Sequence, residues 1–426
     1  MTYVKSELRG TSAKASPKSV RDTAAAVTGF LWIVVAGAIP IQRWLPPELT
    51  EVIEKGVVVL LVISLLFGLM SKPKLSWIWL AAIVILPLAA YLSGRTSSVT
   101  ASVNVGVQLA ILCALAPFAL AFHVKANPDF VRRVAGAFLT VQTISAVLGL
   151  VQLTGVETFG ARAIFGRSTG LAGHPNVLGF MAAIALTLCL GILISRNRKL
   201  RPAAFVALLI NGVALVGTGS LSAMLAALAA LTIVMIVSRT AIMVLVAAVL
   251  GLTALTGFLV LAGFDAGILL SFVEYRVGVV TGTGASDGGA ASLDTRGLTY
   301  AWAWNYLSTN PFIGVGLDPM FAGTYDGITV VHNFLLRAWY QGGILFAAWL
   351  LVAAIALILG IVLPSIAKSS NAVPAAIIVG TLTFAWTSAF YTQTQYWLPL
   401  LLAVAMVPVS LRERSLHHHG ARPRIP

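Results

Sequence analysis

The sequence predicts an all-α fold: a polytopic membrane helical bundle of about 12 transmembrane helices, with one large extracytoplasmic loop containing short helices. Three observations carry this. The chain of 426 residues is 58% hydrophobic and 10% charged, with a mean hydropathy of +0.93, more apolar surface than a soluble protein of this length can bury. Long apolar runs recur, each sufficient to cross a hydrocarbon core about 30 Å thick. The basic residues fall mainly on alternate connections between those runs. Short alternating strands, which a membrane β-barrel requires, are absent from the sequence pattern.

In order, the candidate spans are 23–41, 56–70, 75–92, 102–123, 130–152, 176–194, 202–218, 220–237, 240–263, 336–363, 373–391 and 397–410. They divide the chain into a cytoplasmic tail (1–22), spans 1 to 9 (23–263), an extracytoplasmic loop (264–335), spans 10 to 12 (336–410) and a basic cytoplasmic tail (411–426). The polar N-terminal stretch is too long and too charged for a cleaved signal, so span 1 is expected to be retained. With the N-terminus inside, twenty Lys and Arg lie on the inner side and eight on the outer side, the asymmetry that sets orientation. This distribution accounts for the net charge of +14 without nucleic acid. Cys113 and Cys189 fall within spans and read as small buried hydrophobes. The His417–His419 run reads as solvated tail.

Two outer connections are long, 153–175 and 264–335, and bundles keep loops short unless they act. The first ends in "FGRSTGLAGHPNVLGF", which places Arg167, His174 and Asn176 at the entrance of span 6. Pro175 suits a first helical turn, whose free N–H groups and positive dipole end favour an anion. In the second, "TGTGASDGGAAS" (281–292) reads as a flexible piece, followed by a surface helix with Asp294 as N-cap and Arg296 in its first turn. Leu298, Ala301, Trp302, Asn305 and Tyr306 recur at helical spacing there. Two arginines at two helix N-termini suit a diphosphate, which guanidinium groups bind bidentately; the plainer reading is anchoring at headgroup phosphates. His332 precedes Asn333 and span 10, and a neutral imidazole there serves as a general base or orients a hydroxyl. Capping of the span is the plainer reading, and His174 equally suits a turn-orienting role. No acidic pair at hydrolytic spacing, Cys/His metal cluster or nucleotide loop is legible, so neither metal nor cofactor is expected.

Three segments together resemble the O-antigen ligase and O-antigen polymerase superfamily of bacterial membrane glycosyltransferases. "RSTGLAGHPNVLG" is similar to its Arg-x-x-Gly and Pro-Asn at a span entrance. "RGLTYAWAWNYLSTNPFIGVGL" resembles its arginine- and tryptophan-bearing helix leading to Pro-x-x-Gly-x-Gly. "HNFLLRAWYQGGI" matches its His-Asn, with Gly343 eleven residues on. The resemblance covers roughly residues 150–360. The chain departs at Phe346, where the family often has a second glycine, and at Leu221, where it often has arginine after serine.

The resemblance implies a multi-pass protein of the bacterial cytoplasmic (inner) membrane, active on its extracytoplasmic side in cell-envelope polysaccharide biosynthesis. The implied donor is a glycan on a polyprenyl diphosphate, undecaprenyl in kind, the acceptor a glycan or lipid hydroxyl, and the surroundings membrane lipids and other polysaccharide-assembly proteins. Arg167 and Arg296 would bind the diphosphate, and Arg296 and His332 would act in catalysis. His174, Asn176 and Asn333 would orient substrate. Transfer would be inverting and metal-independent, and polymerisation of repeats is favoured over ligation. A lipid-linked glycan transporter and a non-catalytic membrane subunit are the readings from other classes; polar residues along a translocation path are sparse.

Overall fold

The structure, a computed structural model, describes residues 20–42, 44–69, 77–127, 129–164, 166–195, 198–238, 289–318, 325, 329–367, 371–388 and 395–407, with scattered positions between 242 and 267. Both tails, the 281–288 part of the glycine-rich piece, and Arg276 lie outside the described residues, as does most of the ninth expected span.

The helices are α1 (Val20–Ala38), α2 (Pro47–Leu69), α3 (Trp77–Gly94), α4 (Val99–Ala126), α5 (Phe130–Gln152), α6 (Pro175–Ile194), α7 (Arg201–Gly217) and α8 (Leu221–Val237). After the long loop come α9 (Gly289–Thr309) and α10 (Phe334–Leu357), the latter running through a π-turn into α11 (Leu363–Ala367). The last two are α12 (Ala372–Trp386) and α13 (Gln395–Val407). No strand occurs among the described residues; two isolated bridges lie in the 153–174 loop. Six helices are long and apolar enough to cross a membrane, and five shorter apolar helices accompany them among the described residues. The fold is therefore the expected all-α polytopic membrane bundle.

Packing follows small residues rather than a wide amphipathic stripe, as it must where lipid is as apolar as leucine. Ala90 of α3 faces Gly106 of α4 so closely that a Cβ on Gly106 would overlap it. Gly179 of α6 meets Ala223 of α8, and Gly380 of α12 meets Ala226 and Ala230 of α8. Helix α6 is the most enclosed span, held between α7, α8, α5 and α12. Two buried polar ties join spans: Gln142 and Thr143 of α5 with Asn211 of α7, and Trp32, Ser64 and His123 across α1, α2 and α4.

One helix is interrupted. At Gly343 the backbone of α10 leaves helical geometry (φ 70°, ψ −173°). The segment Pro311–Leu317 fills the gap: Val315 N donates to Tyr340 O (2.9 Å), Gly316 N to Gln341 O (2.9 Å), and Ile344 N to Phe312 O (3.3 Å). The opened backbone thus finds partners within the protein, the condition for irregular chain at this depth. The same segment is tied to the α3–α4 corner. Gly314 N donates to Ser93 Oγ (3.1 Å), Leu317 N to Ser102 Oγ (3.0 Å), and Ser97 Oγ to Val315 O (2.7 Å).

Candidate active site

Gln152, at the end of α5, organises the loop that leads to α6. Its buried amide donates to Thr158 Oγ1 (2.8 Å) and Gly170 O (3.2 Å), and its Oε1 accepts from Thr169 N, Thr169 Oγ1 and Gly170 N. A short 3-10 turn, Gly170–Ala172, then delivers the chain to His174, which caps α6 by accepting from Asn176 N at Nδ1 (3.1 Å). Pro175 stands at the first helical position.

Arg167 lies across this entrance. Its Nε donates to Thr218 O (2.7 Å) in the α7–α8 turn, and its Nη2 donates to Asn176 Oδ1 (2.9 Å). The guanidinium is therefore held beside the positive end of α6, where cation and helix dipole reinforce one another. The structure brings Arg167, His174 and Asn176 together, and shows His174 as a cap and Asn176 as a partner of Arg167.

The second group forms where α9 meets the start of α10. Tyr300 Oη donates to the His332 carbonyl (2.9 Å). Asn333 caps α10, accepting from Leu335 N and Leu336 N, while its Nδ2 donates to Trp386 O (3.1 Å) at the end of α12. Trp302 and Tyr306 of α9 pack on Tyr340 of α10, with ring centroids 4.7 and 5.4 Å apart.

Arg296 lies close enough to Tyr300 and His332 for its charge to act on both. His332 is pushed down from 6.5 to about 4, first by burial and then by Arg296, opposed in part by the Val330 backbone, with Arg337 adding to the depression. Its Nδ1 is buried and has no hydrogen-bond partner among the described residues. The imidazole is thus neutral at pH 7. Tyr300 is shifted upward by burial, against the pull of Arg296.

Two expectations about α9 need correction. The helix begins at Gly289, so Asp294 is interior and Arg296 is two turns in, not at an N-terminus. Arg296 owes its setting to neighbouring side chains rather than to a helix dipole. The buried face is Thr299, Ala303 and Leu307, whereas Leu298, Ala301 and Asn305 are exposed. The 289–292 part of the glycine-rich piece is helical.

One cation gained no role from the sequence. Arg337 is almost fully buried in the first turn of α10, with Nε donating to Gln341 Oε1 (2.9 Å). The four-residue spacing of Arg337 and Gln341 on one helix face was the available signal.

The two groups occupy one end of the bundle. Arg167 bonds the turn that opens α8; Thr387 Oγ1 donates to Ser222 Oγ of α8 (2.7 Å); and the adjacent Trp386 carbonyl receives Asn333. The α3–α4 corner meets the same end through residues 311–317.

A family model described as O-antigen ligase matches residues 203–351. Over those residues the chain resembles the O-antigen ligase family. The match, together with the apolar helices, supports the O-antigen ligase and O-antigen polymerase superfamily and a multi-pass membrane protein of polysaccharide biosynthesis. The comparison with curated proteins finds no match. The matched stretch contains Arg296, His332, Asn333 and Arg337 and the whole Gly343 junction; Arg167, His174 and Asn176 precede it.

Proposed function

We propose that the protein transfers a glycan from a polyprenyl diphosphate carrier to an acceptor hydroxyl at the extracytoplasmic face of the cytoplasmic membrane. The observation that carries this reading is that Arg296 and Arg337 both lie within electrostatic range of a neutral His332 at the mouth of α10. A pair of guanidinium groups stabilises negative charge growing on a departing diphosphate oxygen. A neutral imidazole beside them receives a hydrogen bond from the attacking hydroxyl or takes its proton. Arg167 would hold the diphosphate from the α6 side. Attack on the anomeric carbon opposite the leaving group inverts its configuration, and these protein groups supply the charge stabilisation that the step needs without a metal.

The acceptor defines two variants of one chemistry. A second lipid-linked repeat makes the protein a polymerase; a lipid or protein acceptor makes it a ligase, the variant favoured by the description of the matching family. Purified protein in lipid nanodiscs, given lipid-diphosphate repeat as sole substrate, tests both the chemistry and the acceptor. Release of polyprenyl diphosphate with growing glycan chains establishes a polymerase. Release only when a separate acceptor is added establishes a ligase. No release under either condition overturns the proposal.

A further inference from the structure

Residues 157–162, "ETFGAR", make a tight hairpin with an unfavourable residue at its tip. Thr158 and Ala161 exchange both backbone hydrogen bonds (3.0 and 2.9 Å), with Phe159 and Gly160 between them. Both central residues have positive φ, 49° and 77°, the signature of a type I′ turn, which prefers Asn-Gly. An aromatic residue in left-handed geometry costs about 1–3 kcal/mol, a strain that persists only where surroundings hold it. Yet the Phe159 side chain makes little of its own burial: it is 67% exposed.

What holds the tip is Trp44, from the α1–α2 connection. Its Nε1 donates to the Phe159 carbonyl (2.8 Å), and the two rings meet edge to face at 5.9 Å. Trp44 is itself 42% exposed. The pair borders a depression of about 540 Å³, partly open to solvent, whose other walls include Ile164, Arg162, Thr169, Leu171 and Gly173. Arg162 forms an exposed ion pair with Glu157 on the same hairpin. The depression shares its wall with the loop presenting Arg167, whose guanidinium turns to Thr218 and Asn176.

We infer that this depression binds a pyranose unit of an oligosaccharide, on an aromatic platform made by Trp44 and Phe159. Apolar C–H faces of a pyranose stack on exposed aromatic rings, while its hydroxyls hydrogen-bond to polar groups at the rim. Arg162, on the wall of the depression, offers guanidinium donors, and its ion-pair partner Glu157 on the same hairpin offers a carboxylate acceptor. A lipid acyl chain uses the rings alone, whereas a sugar also uses the Arg162 donors on the wall, so the sugar fits the lining better. The inference deepens the proposed function by assigning a glycan subsite beside the candidate diphosphate cradle, and it takes its ligand class from that reading.

The probe is the lipid-free repeat oligosaccharide released by mild acid from the producing cell's surface polysaccharide, titrated into the full chain in nanodiscs. Phe159→Asn is the informative variant, because it converts the tip to the preferred Asn-Gly turn and keeps the carbonyl that Trp44 binds. The expected result is unchanged or improved thermal stability with about tenfold weaker oligosaccharide binding, and a similar loss in Trp44→Ala. Wild-type affinity in both variants overturns the inference, as does no binding by the wild type. Unchanged sugar binding with Trp44 fluorescence quenched by brominated lipid overturns it in favour of an interfacial anchor. Transfer from lipid diphosphate, measured in parallel, separates the two claims. Intact transfer with indifferent platform variants removes the subsite alone; platform-dependent binding without any transfer removes the transferase reading alone.

Discussion

His332 owes its chemistry to its neighbours. A histidine shifted down to about 4 is a weak base, so a bare active site is poorly set for proton removal. An incoming diphosphate would offset the charges of Arg296 and Arg337, two of the causes of that depression, and raise the imidazole toward its ordinary value. The pH–rate profile then has a defined sign. In kcat/KM, which reports the free protein, activity falls only as pH drops through about 4. In kcat, which reports the loaded protein, the same limb lies at higher pH. Coincident limbs in the two profiles would show that donor binding leaves His332 unaltered. His332→Ala should bind donor near normally and transfer it poorly. Arg296 offers the companion test. Lysine keeps its charge but loses the fork that grips two oxygens. Arg296→Lys is expected to lose roughly a hundred- to a thousandfold in turnover, the range for removing a transition-state charge contact. Near-normal turnover at matched membrane levels would make Arg296 a headgroup anchor.

At the scale of elements, the Gly343 break joins the site to the bundle. Its φ and ψ belong to a region that only glycine occupies readily, and a Cβ there would overlap the Phe312 carbonyl. Gly343→Ala should therefore destabilise the protein by at least ~1–3 kcal/mol, read as a lowered unfolding temperature, and disturb His332 through the first turns of α10. An unchanged melting temperature would show that residues 311–317 merely lie beside α10. The motif Pro-x-x-Gly-x-Gly and the glycine eleven residues after His332 were separate signals in the sequence. Their mutual hydrogen bonds explain why the chain carries both.

For the whole molecule, the loops that meet at the site end all follow odd-numbered spans in the expected order, which the charge asymmetry assigns to the outside. A cysteine at Ser286 should react with an impermeant reagent in intact cells, and one at Gly420 should not. External labelling of Gly420→Cys would reverse the orientation. Activity of the purified protein should also survive saturating EDTA, since no cluster of acidic or Cys/His ligands is legible on the outer side of the sequence. Loss on chelation with recovery on one divalent ion would place a metal in the reaction.

Most helices and most candidate cations were legible in the sequence. Expected spans at 130–152, 176–194 and 202–218 fall within a residue of α5, α6 and α7. Hydropathy, proline at a first turn and Lys/Arg counts are sums over neighbouring residues, and they need no knowledge of the partner surface. Long-range packing is what buries Arg337 within electrostatic range of His332, starts α9 at Gly289 with Thr299, Ala303 and Leu307 buried, and makes His174 a cap. It alone set Trp44 against Phe159. Those outcomes depend on contacts between residues far apart in the chain, 115 positions for Trp44 and Phe159 and 221 for Ser93 and Gly314. A side chain's burial, partner and charge state are properties of such contacts, and no local pattern contains them.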